Sequence, residues 1–143
     1  MDIELLRADI ASIKVDAIVN PTNPTLAGAP AGTTAVTSGG NLLCKFIIHA
    51  VAPHAGDKDA DEKLRTATWG SLRRAEELAV SSVAFPAMAT GAFGLPLERS
   101  ARVMLAATID FRPQARSLRR VVYCLFGAEA HAEFARVLRE LEA

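Results

Sequence analysis

Short apolar runs rich in β-branched residues recur along the chain and predict the strands of a sheet. Four of them, at residues 15–20, 45–51, 82–86 and 120–126, are apolar almost without interruption. Such runs are typical of strands that are buried on both faces, so we predict these four as the centre of the sheet. A further strand is expected at residues 3–8, and TTAVTS at residues 33–38 is compatible with an extended segment.

Longer stretches with apolar residues at helical spacing predict three helices. The first runs from a predicted capping box at Asp59 and Glu62 to about residue 79, and the second runs from 97 to 111, where Pro113 stops it. The third lies near the end of the sequence. The predicted inward positions are Leu64, Ala67, Leu72, Ala75, Leu78 and Ala79 in the first helix, Leu97, Ala101, Met104, Leu105 and Thr108 in the second, and Phe134, Val137, Leu138 and Leu141 in the third. Strands and helices alternate in the second half, which predicts parallel βαβ units and an α/β fold.

The amino-acid composition is that of a globular protein. The chain has 143 residues, of which 50% are hydrophobic and 22% charged, so we expect one folded domain over residues 1–143 and no extended disorder. No apolar run reaches the roughly 18 residues that a bilayer-spanning helix needs. The first ten residues, MDIELLRADI, lack the long apolar core of a secretory signal, so we expect a cytoplasmic protein with no membrane partner.

Charge and reactive side chains limit the possible chemistry. Sixteen basic and sixteen acidic residues cancel, which argues against binding nucleic acid through charge but leaves a small phosphate ligand possible. Cys44 and Cys124 lie far apart in apolar runs, and we interpret them as buried thiols. Because the three histidines are scattered as well, we predict no metal site and no cofactor.

Small residues dominate the loops that follow the predicted strands. These loops lie at residues 20–32, 87–96 and 126–128, and they meet at the edge of an open α/β sheet where ligands usually bind. Gly, Ala and Thr let the backbone approach a ligand and offer it N–H groups. The GAFG sequence at residues 91–94 fits a phosphate-binding loop, but it also fits an ordinary turn.

Four motifs in order give the chain its resemblance to a known family. They are ADI at residues 8–10, VDAIVNPTN at 15–23, FIIHAVAP at 46–53 and VAFPAMATGAFGLP at 83–96. With these motifs the chain resembles the macro domain family over nearly its whole length. The resemblance implies a three-layer α/β/α fold with a mixed, largely parallel central sheet. It also implies a cleft for ADP-ribose at the carboxyl ends of the strands.

The resemblance assigns roles to several residues of this cleft. Asp9 would accept a hydrogen bond from the adenine amino group, with Ile10 beside it, and Asn23 would face the distal ribose. Asn20 and His49 match family positions that we interpret as structural. The implied second phosphate loop consists of Thr90, Gly91, Ala92, Phe93 and Gly94. Phe126 is the implied platform on which the adenine stacks. Two alternatives stay open, namely that Asp9 only caps a turn and that Phe126 packs in the core.

One segment departs from the family pattern. After the two asparagines, family members continue into a glycine run, an acidic residue and a helix, whereas this chain passes directly from Leu26 to Thr37 through small residues. The missing block has about two to three dozen residues, comparable to a loop and a helix. Its absence removes one wall of the diphosphate site, and no Asp, Glu or His lies between Asn23 and His49. It also exposes apolar sheet surface unless a partner or another copy covers it.

Three functions are compatible with the sequence. The first is binding of ADP-ribose, either free or attached to a macromolecule. The second is hydrolysis of ADP-ribose derivatives, as an O-acetyl-ADP-ribose deacetylase or a mono-ADP-ribosyl-protein hydrolase. It would use substrate-held water positioned by Asn23 and the 91–94 loop. The third is a degenerate domain that serves only interaction. The intact loop at residues 90–94 favours binding, and the sequence leaves the oligomeric state open.

Overall fold

A mixed β-sheet forms the centre of the molecule. The computed structural model describes residues 1–22 and 29–143. The sheet of these residues has six strands in the order β1-β6-β5-β2-β4-β3, and every neighbouring pair is parallel except β3 and β4. The strands are β1 (Asp2–Leu6), β2 (Ala17–Thr22), β3 (Thr34–Ser38), β4 (Phe46–Val51), β5 (Ser82–Phe85) and β6 (Arg120–Cys124).

The four strands predicted at the centre of the sheet do lie between the two edges. Two of them end earlier than predicted. β5 stops at Phe85 because Pro86 has no N–H to donate to a neighbouring strand. β6 stops at Cys124, after which Leu125 N donates to Leu6 O at 2.8 Å and the chain turns towards the surface.

Three long helices pack on one face of the sheet. They are α1 (Ala60–Glu77), α2 (Leu97–Phe111) and α3 (Ala128–Glu142), and α2 lies between the other two. Their buried side chains form the main core with the sheet, where Leu64, Leu72, Met104, Leu105 and Phe134 are fully enclosed. Of the helices in the described residues, none is long and apolar enough to span a bilayer.

The predicted capping box at the start of α1 is wrong. Asp59 precedes the helix with a left-handed backbone, φ 57°, and its side chain makes no capping hydrogen bond. A capping side chain needs an extended backbone at this position to reach the first free N–H groups. At the other end, Leu78 is half-buried and Ala79 is exposed because both lie beyond the last helical turn.

The opposite face of the sheet has a much thinner cover. A 3₁₀ helix, Ile10–Ser12, and nearby loops bury Ile18, Ala84 and Val122 there. With helices on both sides of a mixed sheet, the three-layer α/β/α fold is confirmed. The expectation that β4 is buried on both faces is wrong, because its side chains at Ile47 and His49 remain partly exposed on this thinly covered face.

Candidate functional site

Two adjoining cavities lie at the carboxyl ends of the parallel strands. The larger measures about 570 Å³ and lies between the β5–α2 loop and the start of α3, where Thr90, Gly91 and Phe126 line it. The smaller measures about 330 Å³ and is lined by Asp9 and Phe126 together with Arg7. Phe126 and Gly127 border both cavities, so the two lie side by side in one cleft region. The structure thus brings together four of the residues that the sequence assigned to the site.

The β5–α2 loop is held in place by side chains that bond its carbonyl groups. Thr90 Oγ1 donates to Ala87 O at 2.7 Å, and the buried Ser100 Oγ of α2 donates to Met88 O at 2.8 Å. The following residues form a 3₁₀ helix, Gly91–Phe93. Gly91 has φ +62°, a left-handed conformation that glycine adopts without strain. These contacts fix the loop before any ligand arrives.

This loop has free backbone donors. The N–H groups of Thr90, Gly91 and Ala92 have no acceptor in the part of the chain that the structure describes. Gly91 and Ala92 are exposed, and a side chain at Gly91 would meet no atom within 4 Å. Consecutive unpaired N–H groups in a turn attract anions, so the loop can receive a phosphate.

Phe93 is held by a neighbour that the sequence did not indicate. Its ring stacks on His54, with 4.5 Å between the ring centroids and 13° between the planes. Ala55 N also donates to Phe93 O at 2.8 Å. His54 itself is half-buried. No local pattern could have predicted the stack, because the two residues come from different loops.

Asp9 lines the smaller cavity and also caps a turn. Its Oδ1 accepts from Ala11 N at 2.9 Å, at the start of the 3₁₀ helix. The turn-capping alternative therefore describes a real contact, but it leaves the exposed carboxylate at the cavity wall. Arg7 borders the same cavity, although no sequence motif indicated it.

Phe126 is the most exposed of the large hydrophobic residues that the structure describes, with 88% of its surface accessible. The alternative that it packs in the core is wrong. The preceding residue, Leu125, takes the buried position instead, at 1% exposure. An exposed ring between two cavities is suited to stacking on a flat ligand.

The other candidates lie elsewhere or outside the described residues. Ile10 packs against the thinly covered sheet face rather than lining a cavity. Ala92, Phe93 and Gly94 belong to the loop but do not line the two cavities. Asn23 lies outside the described residues.

Asn20 and His49 lie on the thinly covered sheet face. The amide nitrogen of Asn20 lies 3.3 Å from His49 Nδ1, and Thr37 Oγ1 lies 2.8 Å from His49 Nε2. The histidine thus has a polar partner at each ring nitrogen, which suits the structural role predicted for it. It is not a core residue, since it is only half-buried.

The two cysteines are free and buried, as predicted. Cys124 borders the larger cavity, but burial raises the pKa of its thiol to about 11, so it stays protonated and unreactive at neutral pH. Burial also raises the pKa of Cys44. No group of three or more metal-ligating side chains occurs within residues 1–22 and 29–143.

A separate cavity of about 600 Å³ lies between residues 29–31 and the start of α1. Three carboxylates, those of Asp57, Asp59 and Glu62, line it together with only one cation, Lys63. The excess of negative charge disfavours a diphosphate here.

Comparison with known proteins identifies relatives of the whole chain. A family model described as the macro domain matches residues 15–104. An uncharacterised protein from Pyrobaculum aerophilum is 36% identical, covering 98% of this chain and 92% of its own. A macro domain-containing protein from Caldanaerobacter subterraneus subsp. tengcongensis is 31% identical, with 98% and 97% covered. Among solved structures, the Oceanobacillus iheyensis macrodomain with ADP is 24% identical and has a TM-score of 0.90, covering 98% of this chain and 91% of that one.

The alignments also bear on the shortened segment. The Pyrobaculum alignment runs over 169 positions although this chain has 143 residues, so at least 26 positions have no counterpart here. This number lies within the range expected from the sequence pattern. The fold is nevertheless retained around the cleft.

Proposed function

Because this chain belongs to the macro domain family, we propose that it binds ADP-ribose or a related derivative in the cleft beside Gly91 and Phe126. The observation that carries the proposal is the pair of adjoining cavities with the exposed Phe126 ring between them. A nucleotide needs a flat platform next to an anion site, and this cleft offers both.

The cleft suggests an orientation for the ligand. The adenine stacks on Phe126 in the smaller cavity, where the carboxylate of Asp9 accepts from its amino group. The diphosphate lies in the larger cavity and receives hydrogen bonds from the free N–H groups of Gly91 and Ala92. Asn23 faces the distal ribose, and the remaining predicted contacts, Ile10, Thr90, Phe93 and Gly94, support these positions.

The solved structures of a relative support the choice of ligand. The Oceanobacillus iheyensis macrodomain was solved with ADP, and a mutant of it with ADPR. The fold that this chain shares with that protein supports the same class of ligand. That this chain binds the same ligand is our proposal.

Calorimetric titration tests the proposal. The protein is titrated with ADP-ribose, then ADP, then AMP. We expect ADP-ribose to bind, ADP to bind comparably and AMP to bind much more weakly, because AMP lacks the second phosphate that the Gly91 loop receives. Absence of binding for all three would favour the degenerate interaction module instead.

Hydrolysis of an ADP-ribose derivative is the second candidate. The exposure of the Gly91 loop, which leaves a ligand there accessible to water, is compatible with it. Release of ADP-ribose from an ADP-ribosylated protein, or of acetate from O-acetyl-ADP-ribose, distinguishes this candidate from binding alone. No general base is assigned to it, so any reaction would depend on water held by the substrate and positioned by Asn23.

A further inference from the structure

The two edges of the sheet are protected to different degrees. Along β1, Asp2 and Glu4 bring negative charge, and Glu4 forms an ion pair with Arg120. Along β3 and its flanks, from residue 31 to residue 44, there is neither a charged residue nor a proline. Proteins usually block an open strand edge with such residues, because unpaired N–H and C=O groups invite another chain. The unprotected edge therefore indicates that β3 has a strand partner.

The register of β3 determines which backbone groups are available to a partner. At the two ends of the strand, Thr33 and Gly39 bond towards β4, so the odd-numbered residues between them face β4 as well. The N–H and C=O groups of Thr34, Val36 and Ser38 consequently face outward. The described part of the chain places no strand against them.

One of these outward groups already has a contact. The guanidinium of Arg74 approaches Thr34 O at 3.5 Å and Thr34 Oγ1 at 3.0 Å. A carbonyl oxygen has two lone pairs, so it can still accept from a partner strand. Arg74 therefore covers one end of the edge, where a partner strand would share Thr34 O with it.

Two copies of β3 placed antiparallel bring chemically similar residues opposite each other. If Val36 lies on a two-fold axis, Thr34 faces Ser38 of the other copy, Ala35 faces Thr37, and Val36 faces itself. Paired hydroxyl side chains and paired β-branched side chains are favourable across strands, and none of these pairs brings charges together. This complementarity selects a second copy of the chain over an unrelated peptide.

We propose that this protein forms a two-fold symmetric dimer in which the β3 strands of two copies pair antiparallel and join the two sheets into one. The same register brings the loop after β3 next to residues 29–33 of the other copy. That loop exposes Leu42 and Leu43, at 38% and 58% of their surface, two of the large hydrophobic side chains that are exposed in the described residues. The dimer gives both leucines an apolar neighbour.

Two double variants that differ in one charge test the proposed register. Ala35 and Thr37 are exposed, and in the dimer each faces the other across the axis. Ala35→Glu with Thr37→Glu places like charges opposite each other twice, whereas Ala35→Lys with Thr37→Glu places opposite charges there. Both variants lose the contact of Thr37 with His49, so their difference reports the interface alone.

Sedimentation equilibrium measures the dimer dissociation constants. We expect a wild-type dimer, and a constant about tenfold or more higher for the double-Glu variant than for the Lys–Glu variant. Val36→Pro removes the central outward N–H without touching a β4 bond, and it should yield a monomer that circular dichroism shows to be folded. A wild type that stays monomeric at all concentrations, or equal constants for the two double variants, overturns the proposal.

Discussion

Gly91 combines the two properties that a phosphate-binding loop requires at close approach, a left-handed backbone and open space where a side chain would project. We predict that Gly91→Glu weakens ADP-ribose binding about 100-fold or more while the fold survives, because the new carboxylate repels the diphosphate. Calorimetric titration measures the affinity, and circular dichroism confirms the fold.

Gly40→Glu is the matched control for this variant. Gly40 has a similar backbone, φ +58°, and also has no atom within 4 Å of a potential side chain, but it lies between β3 and β4, away from the cleft. Both variants should lose about 1–2 kcal/mol of stability through backbone strain. Only Gly91→Glu should lose binding, and unchanged affinity in this variant would move the phosphate site elsewhere.

Asp9 has two roles that a single experiment can separate. We predict that Asp9→Ala weakens ADP-ribose binding by about 1.5–3 kcal/mol, the value of a hydrogen bond to a charged group. It should weaken binding of the hypoxanthine analogue much less, because that base has an acceptor where adenine has a donor. Titrating both nucleotides into both proteins measures the preference.

The capping contact of Asp9 with Ala11 N predicts a separate loss of stability for Asp9→Ala. Asp9→Asn is the control, since asparagine caps as well as aspartate but carries no charge. It should keep the melting temperature and lose part of the adenine preference. If Asp9→Ala melts lower yet keeps the adenine-to-hypoxanthine ratio of the wild type, Asp9 serves the turn alone.

At the level of helices and strands, side chains distant in sequence hold the connections in place. Glu76, near the end of α1, accepts hydrogen bonds from the N–H groups of Arg116 at 2.9 Å, Leu118 at 3.2 Å and also Ser117. At the start of β5, Asp16 Oδ2 accepts from Ser81 N and Oγ. Both carboxylates fix loops that lead into neighbouring parallel strands.

The Glu76 contacts predict a pH-dependent stability. Burial raises the pKa of the Glu76 carboxyl, whereas the hydrogen bonds from Ser117, Leu118 and Arg116 lower it. The lowering is the larger effect, so the pKa in the folded protein lies below its ordinary value of 4.5. A lowered pKa in the folded state stabilises the protein above pH 4.5, and this stability is lost as the pH falls through the folded-state value. Glu76→Gln should therefore reduce the free energy of unfolding by about 1.5–3 kcal/mol at neutral pH.

Urea unfolding at a series of pH values measures this difference, which should vanish in acid. Glu77→Gln on the same helix is the control, because Glu77 is exposed and has only a 3.9 Å ion pair with Arg74. We expect it to change stability by less than about 1 kcal/mol. A Glu76→Gln effect that persists at low pH would assign the stability to packing rather than to the charge.

Local sequence predicts the elements better than it predicts their ends and contacts. The bounds of α2 agree residue for residue with the prediction, since an apolar stripe and Pro113 both mark them. The capping box at Asp59 failed because a residue pattern does not reveal a left-handed backbone. At the cleft, the Gly91 loop follows from its motif, whereas the stack of His54 on Phe93 depends on tertiary packing.

Considered as a whole, the molecule lacks a segment that longer relatives carry, and this bears on the proposed hydrolysis. We predict hydrolysis at least about 10²–10⁴-fold slower than that of a complete family hydrolase, the usual contribution of a positioned general base. The reason is that the sequence has no Asp, Glu or His between Asn23 and His49. Release of ADP-ribose, assayed side by side with such a hydrolase, measures the difference, and equal turnover would contradict the prediction.

The pairing of β1 with β6 affects the order in which parts of the protein fold during synthesis. β1 is made first, yet its partner in the sheet is β6, which leaves the ribosome only after α2 is complete. Non-local pairing of this kind is slow to form, because closing a long loop costs chain entropy before any strand contact compensates for it. The unit of β2, β4 and β5 with α1 can assemble earlier during synthesis. Asp9 and Phe126, which follow β1 and β6, therefore meet only late, so a nascent chain completes this part of the cleft as one of its last folding events.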